Sequence, residues 1–172
     1  RGAAIDVKDK YFGNTALMLA CVNGHETCVC ILVGKGANAN LVNNYGGTAL
    51  KLACQNGHET CVRELLGRGA SLDTKDKYGR TALMLACRHG HVVVARLLLE
   101  HGAAIDVKDI FDDKTPLMLA CEQGHVGVVR LLLERGAAID VKDKYFGNTA
   151  LILACNFGHV GVARLLLEHG AS

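Results

Sequence analysis

The chain has 172 residues, 50% of them apolar and 21% charged, with a formal net charge of +2. That apolar share is enough for an ordinary packed core, so the chain need not be disordered. No stretch approaches the roughly 18 consecutive apolar residues a membrane helix needs, so the expectation is a soluble, unanchored protein without a membrane partner.

From the first residue, "RGAAIDVKD" shows no initiating Met, no basic-then-apolar leader and no small-residue cleavage site, so export is not expected. Thr15 opens the first predicted helix, "TALMLACVNGH", and a glycine-histidine pair, Gly24-His25, closes it. A second predicted helix follows at once and runs to Gly36. The same pair of helices recurs from Thr48 through Gly57-His58 to Gly69, and from Thr81 through Gly90-His91 to Gly102. It recurs again from Thr115 through Gly124-His125 to Gly136, and from Thr149 through Gly158-His159 to Gly170. The threonines are 33, 33, 34 and 34 residues apart. The length variation falls in the connector before each threonine, where Phe12, Phe146 and an acidic residue of "IFDDK" are the additions.

Threonine suits the N-cap because its hydroxyl accepts from the free amides of the first turn, and Pro116 fits the first helical position of unit four. Gly24 and its equivalents suit the left-handed residue that ends a helix. In "HVVVARLLLEHG" apolar residues cover most of the circumference, leaving Arg96, Glu100 and His101 to share an outer face. Helices this short cannot form a core in pairs, so the units must stack into a solenoid, 1–172 forming one domain. The repeats fall at approximately 6–38, 39–71, 72–104, 105–138 and 139–172, and "AAIDVKDKYFGN" reads as an extended turn or hairpin between them.

The period, the Thr-Ala/Pro-Leu-x-Leu-Ala opening, the Gly-His pair, the Leu-Leu helix and the closing Gly-Ala resemble the ankyrin repeat family across the whole chain. The resemblance implies an all-α repeat solenoid of paired antiparallel helices with β-hairpin or turn connectors projecting at right angles. It also implies a concave face of connectors and first helices that binds other proteins. One departure stands out: the histidine of the family's Thr-Pro-Leu-His box is replaced by Met18, Lys51, Met84, Met118 and Ile152, so its polar tie is expected to be absent. Lys51 must snorkel to water or find a partner.

Residues able to do chemistry read as scaffold. Cys21, Cys54, Cys87, Cys121 and Cys155 take one site per unit, where the family commonly has alanine, and behave as small hydrophobes. Their spacing on stacked helices, about 8–10 Å, is too great for a shared metal ion. Eight cysteines in apolar runs fit a reducing, cytoplasmic or nuclear setting better than a secreted disulfide scaffold. Cys30 replaces an outer-face arginine and is expected to be an exposed thiol. His25, His58, His91, His125 and His159 would give five separate copies of one group, whereas catalysis needs different groups at one centre. Capping or bridging is the expected role, with no enzyme, metal or cofactor. Asp112 and Asp113 alone do not make a metal cage. Lys8, Lys10, Lys75, Lys77, Lys108, Lys142 and Lys144 flank tip aromatics, but Asp9, Asp76, Asp109 and Asp143 alternate with them, which argues against a nucleic-acid surface.

Positions that vary between otherwise similar units mark the expected protein-binding face. They are Lys10, Tyr11, Phe12, Asn14, Val22 and Asn23 in unit one, and Asn44, Tyr45, Gln55 and Asn56 in unit two. Unit three supplies Lys77, Tyr78, Arg80, Arg88 and His89; unit four supplies Ile110, Phe111, Asp112, Lys114, Glu122 and Gln123. Unit five supplies Lys144, Tyr145, Phe146, Asn148, Asn156 and Phe157. The competing role for the five aromatics beside the turn is packing between adjacent tips. Residues 1–17 match 135–151 letter for letter, Arg1 and Gly2 standing where a second helix would end, and the last unit carries no polar capping substitutions. This suggests a piece of a longer or synthetic array, with self-association through the terminal units as the alternative function.

Overall fold

The computed structural model describes residues 4–172; Arg1 and Gly2 lie outside the described residues. Ten helices follow in order: α1 (Ala16–Val22), α2 (Glu26–Gly34), α3 (Ala49–Asn56), α4 (Glu59–Gly67), α5 (Ala82–Arg88), α6 (Val92–Glu100), α7 (Pro116–Glu122), α8 (Val126–Glu134), α9 (Ala150–Asn156) and α10 (Val160–Glu168). Each odd helix packs on the even helix that follows it, and successive units stack odd on odd and even on even. The result is an all-α solenoid with two helical layers.

Each first helix starts at its threonine. The hydroxyls of Thr15, Thr48, Thr81, Thr115 and Thr149 accept from the amides of Met18, Lys51, Met84, Met118 and Ile152. The polar tie expected to be absent is partly replaced. The Thr15, Thr81 and Thr115 amides donate to the sulfurs of Met18, Met84 and Met118 at 3.5, 3.4 and 3.5 Å, because thioether sulfur is a weak acceptor folded back over the cap. Lys51 does not snorkel. It is 2% exposed, and its Nζ donates to the Gly46 carbonyl in the turn above.

The core runs the length of the stack. Leu17, Leu50, Leu83 and Leu117 of the first helices share one buried cluster with Val62, Leu98, Leu132 and Leu166 of the second ones. Arg96, Glu100 and His101 face outward as expected. Cys21, Cys54, Cys87 and Cys121 are buried, and burial pushes the Cys21 and Cys121 thiols up to about 12. Cys155 departs from the core expectation and is exposed, because no described helix covers the far side of α9. Cys30 is exposed, as expected.

The connectors are turns, and no strand occurs among the described residues, so the hairpin alternative is corrected. Each turn is closed by a backbone bond at its base, such as Asp9 N–H to Asn14 O at 2.8 Å and Asp76 N–H to Arg80 O at 3.0 Å, and those of units two and three by a second, Gly46 N–H to Asn43 O and Gly79 N–H to Asp76 O. The aspartate at its base, Asp9, Asp76, Asp109 or Asp143, spends its carboxylate on that turn's amides. Asn43 serves in unit two. These carboxylates are internal fastenings as well as countercharges to the lysines.

Asp113 is the one described non-glycine residue with positive φ, at 57°, and it stands where units one and five have Gly13 and Gly147. A Cβ in left-handed backbone costs roughly 1–2 kcal/mol, less for aspartate than for most residues. We expect Asp113→Gly to stabilise the chain by about 0.5–1 kcal/mol. Chemical denaturation of both proteins checks this.

Candidate functional site

Successive connector tips are tied edge to edge. Asn44 N–H donates to Phe12 O at 2.9 Å, Lys77 N–H to Tyr45 O at 3.1 Å, Ile110 N–H to Tyr78 O at 3.2 Å and Lys144 N–H to Asp112 O at 2.8 Å. Such a ladder fixes the tips relative to one another, and the side chains that vary from unit to unit stand on this row. The Gly-His histidines perform the matching task at the other end of the first helices. Nε2 of His58, His91, His125 and His159 donates at 3.0 Å to the carbonyls of Val22, Gln55, Arg88 and Glu122 in the preceding unit. Each ring therefore pins the end of the neighbouring first helix, the bridging role expected for it. The acceptor residues themselves carry their side chains on the candidate face.

None of the candidate residues is buried. Lys10, Tyr11, Phe12, Asn44, Tyr45, Gln55, Asn56, Lys77, Arg88, His89, Ile110, Phe111, Gln123, Lys144, Tyr145, Phe146, Asn156 and Phe157 are exposed. Asn14, Tyr78, Arg80, Asp112, Lys114 and Glu122 are half-buried. Some tip aromatics do pack between tips: Phe12 lies 6.5 Å from Tyr45 and Tyr78 lies 5.8 Å from Phe111, centroid to centroid. Lys77 Nζ sits 4.1 Å from the Tyr45 centroid and Arg80 4.4 Å from that of Tyr78. Tyr11 and Phe146, by contrast, are 80% and 84% exposed. Among the described residues Phe157 stacks against His159 of its own unit, at 6.4 Å.

Two clefts gather twelve of the residues expected on this face. Between units four and five a cleft of about 410 Å³ brings Asp112, Lys114 and Glu122 together with Tyr145, Phe146, Asn148, Asn156 and Phe157. Between units two and three a cleft of about 250 Å³ brings together Tyr45, Gln55, Tyr78 and Arg80. Lys10, Ile110 and Lys144 on the tips, and Asn56, Arg88, His89 and Gln123 at the helix ends, line neither cleft.

The clefts also hold residues that unit-to-unit variation does not single out. Asn43, Lys51, Asp76, Asp143 and Ile152 line them. Ile152 occupies the position of the buried Met18 and Met84, so its sequence context reads as core. Lys51 carried a signal, being the only charge at that position.

The electrostatics differ between the two clefts. In the upper one Lys114 is shared between carboxylates, 3.1 Å from Glu122 Oε2 and 3.6 Å from Asp112 Oδ2. Burial pushes the Asp143 carboxyl up, but hydrogen bonds from the Asn148 side chain and from the Phe146 and Asn148 amides outweigh it and hold it below the usual aspartate range. In the lower cleft Arg80 grips Asp76 with Nε and Nη2, both at 3.0 Å. Burial pulls the Lys51 ammonium down to about 8. No group of three or more His, Cys, Asp or Glu placed to hold a metal ion occurs among the described residues. No described helix is long and apolar enough to cross a membrane.

The family model for ankyrin repeats, built of three copies, matches the chain in four overlapping registers, residues 1–76, 17–109, 61–143 and 108–172. No curated protein matches the chain.

Proposed function

Because this chain belongs to the ankyrin repeat family, whose repeats generally mediate protein–protein interaction, we propose that it is a non-enzymatic recognition module binding a partner protein. The binding face is the one formed by the connector tips and the ends of the first helices. The observation that carries this reading is the set of large aromatic side chains on that face that the fold leaves about half or more exposed, Tyr11, Tyr145, Phe146 and Phe157. Exposed aromatics are frequent interface anchors, since they bury large areas with few rotatable bonds. The face is fixed in advance by the tip ladder and the histidine bridges, so binding orders little and spends little affinity on ordering. No chemical step is required. We place the module inside the cell, cytoplasmic or nuclear.

Replacing Tyr145, Phe146 and Phe157 together by serine is expected to weaken capture of the partner from cell lysate at least tenfold while shifting the melting temperature by no more than about 2 °C. Capture undiminished by the triple change would place the binding face elsewhere.

Self-association is the second reading, and it has its own observation. Ile31 on α2 and Leu167 on α10, in the first and fifth units, are both 59% exposed, and Val160 at the start of α10 is exposed as well. Under this reading the mass of the 172-residue chain, measured by sedimentation, rises with concentration and Leu167→Lys returns it to the monomer value. A constant monomer mass removes the reading.

A further inference from the structure

The two clefts on the candidate face are the same slot built twice with opposite charge. Each lies between successive tips above the end of a first helix, with equivalent residues in equivalent places. Tyr78 and Tyr145 form one wall, Gln55 and Glu122 the floor, and Asp76 and Asp143 anchor the turn. The substitutions that distinguish them change the sign. The slot between units two and three holds the cations Lys51 and Arg80 against the single carboxylate of Asp76. The slot between units four and five holds Asp112, Glu122 and Asp143 against the single ammonium of Lys114. Both slots carry a lysine over a tip ring, Lys77 at 4.1 Å from the Tyr45 centroid and Lys144 at 5.3 Å from that of Tyr145, so the contrast lies in the lining itself. Arg88, exposed at the end of α5, makes no ion pair among the described residues.

We propose that the face recognises an extended segment of a partner protein that places an acidic side chain in the slot between units two and three and a basic one in the slot between units four and five. This deepens the proposed function and rests on it. The volumes of about 250 and 410 Å³ suit one long side chain each with its flanks. The upper slot adds the rings of Phe146 and Phe157, which attract a guanidinium or ammonium through their quadrupoles while its methylene stem lies on Ile152; the Tyr145 ring beside them already has Lys144 Nζ 5.3 Å from its centroid. Glu122 and Asp112, each already half-neutralised by Lys114, accept the charged head. In the lower slot Arg80 faces the incoming carboxylate with the donors that Asp76 leaves free.

Geometry sets the spacing. Stacked helices advance about 8–10 Å per unit, so slots two units apart are separated by roughly 16–20 Å. An extended chain covers about 3.3 Å per residue, so the two charges stand about five to six residues apart. The asymmetry of the face fixes one chain direction. Like-charge contact rejects the reverse order, which is where selectivity arises.

The test is selection of a displayed library of random 12-residue peptides on the immobilised 172-residue chain, followed by affinity measurement with synthetic copies of the winners. The expected winners carry an acidic and a basic residue five or six positions apart in one order. Reversing that order costs about tenfold or more. Arg80→Gln and Glu122→Gln, each checked for an unchanged melting profile, each weaken binding about three- to fivefold. A peptide lacking the residue that faces the altered slot does not feel the change. Winners that lose binding to the Tyr145, Phe146 and Phe157 triple variant yet show no charge pair, or charges of one sign, overturn the inference and leave the recognition face standing. Winners indifferent to the triple variant overturn both.

Discussion

Replacing Gly90 by alanine is expected to destabilise the chain by about 3 kcal/mol, while the same change at Gly158 costs only about 1–2 kcal/mol. Both glycines end a first helix with positive φ, 78° and 74°, so the backbone strain of an added Cβ is shared. Only Gly90 lies under a histidine. A Cβ there falls 2.7 Å from His125 Nδ1 and 2.8 Å from Cε1, whereas at Gly158 it meets nothing within 4 Å. The ring cannot simply step aside, because its Nε2 donates to the Arg88 carbonyl at 3.0 Å and its displacement leaves that helix end unpinned. Overpacking of this kind costs roughly 1–3 kcal/mol, which separates the two variants. His125→Ala in the Gly90→Ala background should recover part of the loss, a coupling that a double-mutant cycle measures. Equal losses at Gly90 and Gly158 would show that the ring is free to move and that the histidines do not lock unit to unit.

Lys51→Met is expected to stabilise the protein by about 1–2 kcal/mol at pH 7. The lysine is buried, and desolvation pulls its ammonium from 10.5 down to about 8, so at neutral pH the folded state holds a charge that the unfolded state carries more cheaply. Methionine already fills this position in units one, three and four, buried and accepting from the cap threonine. The pH dependence has a definite sign. Below about 8 lysine is charged in both states and the penalty is complete; between about 8 and 10.5 the unfolded chain binds more protons than the folded one, so the parent gains stability as pH rises. The advantage of the methionine variant therefore shrinks across that window and is nearly gone above it. Urea denaturation of the pair at pH 7, 9 and 10.5 reads this directly. An advantage constant with pH would mean that Lys51 titrates normally and reaches water. The same substitution removes a cation from the slot between units two and three, so we expect a more stable and poorer binder, a trade common at functional sites.

The fold was legible because repetition multiplies weak signals. One threonine before an apolar run suggests a cap, and five of them at steps of 33 or 34 residues, each followed by Gly-His at a fixed distance, leave a single architecture. The outward Arg96 and the bridging histidines were legible for the same reason. What the repeats obscured lies where one unit differs in environment from its fellows. Cys155 and Ile152 carry the letters of core positions yet are exposed, since covering depends on a neighbouring unit and not on the residue itself. The sulfur bonds of Met18, Met84 and Met118 were missed because methionine is ordinarily read as packing alone. Within the candidate site, variation picked out Glu122, Tyr145 and Phe157 on the upper cleft. It passed over Asp143, whose equivalents in the other units made it look purely structural. The pairing of Phe12 with Tyr45 and of Tyr78 with Phe111 depends on how far each tip leans toward the next, which no single unit's sequence specifies.

Recognition through the tip and helix-end face is tested most directly by site-specific photocrosslinking to the captured partner. A benzophenone amino acid placed singly at Phe146, Phe157 and Arg96 samples the upper cleft twice and the outer helical face once. Crosslinks to the partner from positions 146 and 157, with none from 96, are the predicted result. Crosslinking from 96 and silence at 146 and 157 would contradict it and move recognition to the second helices.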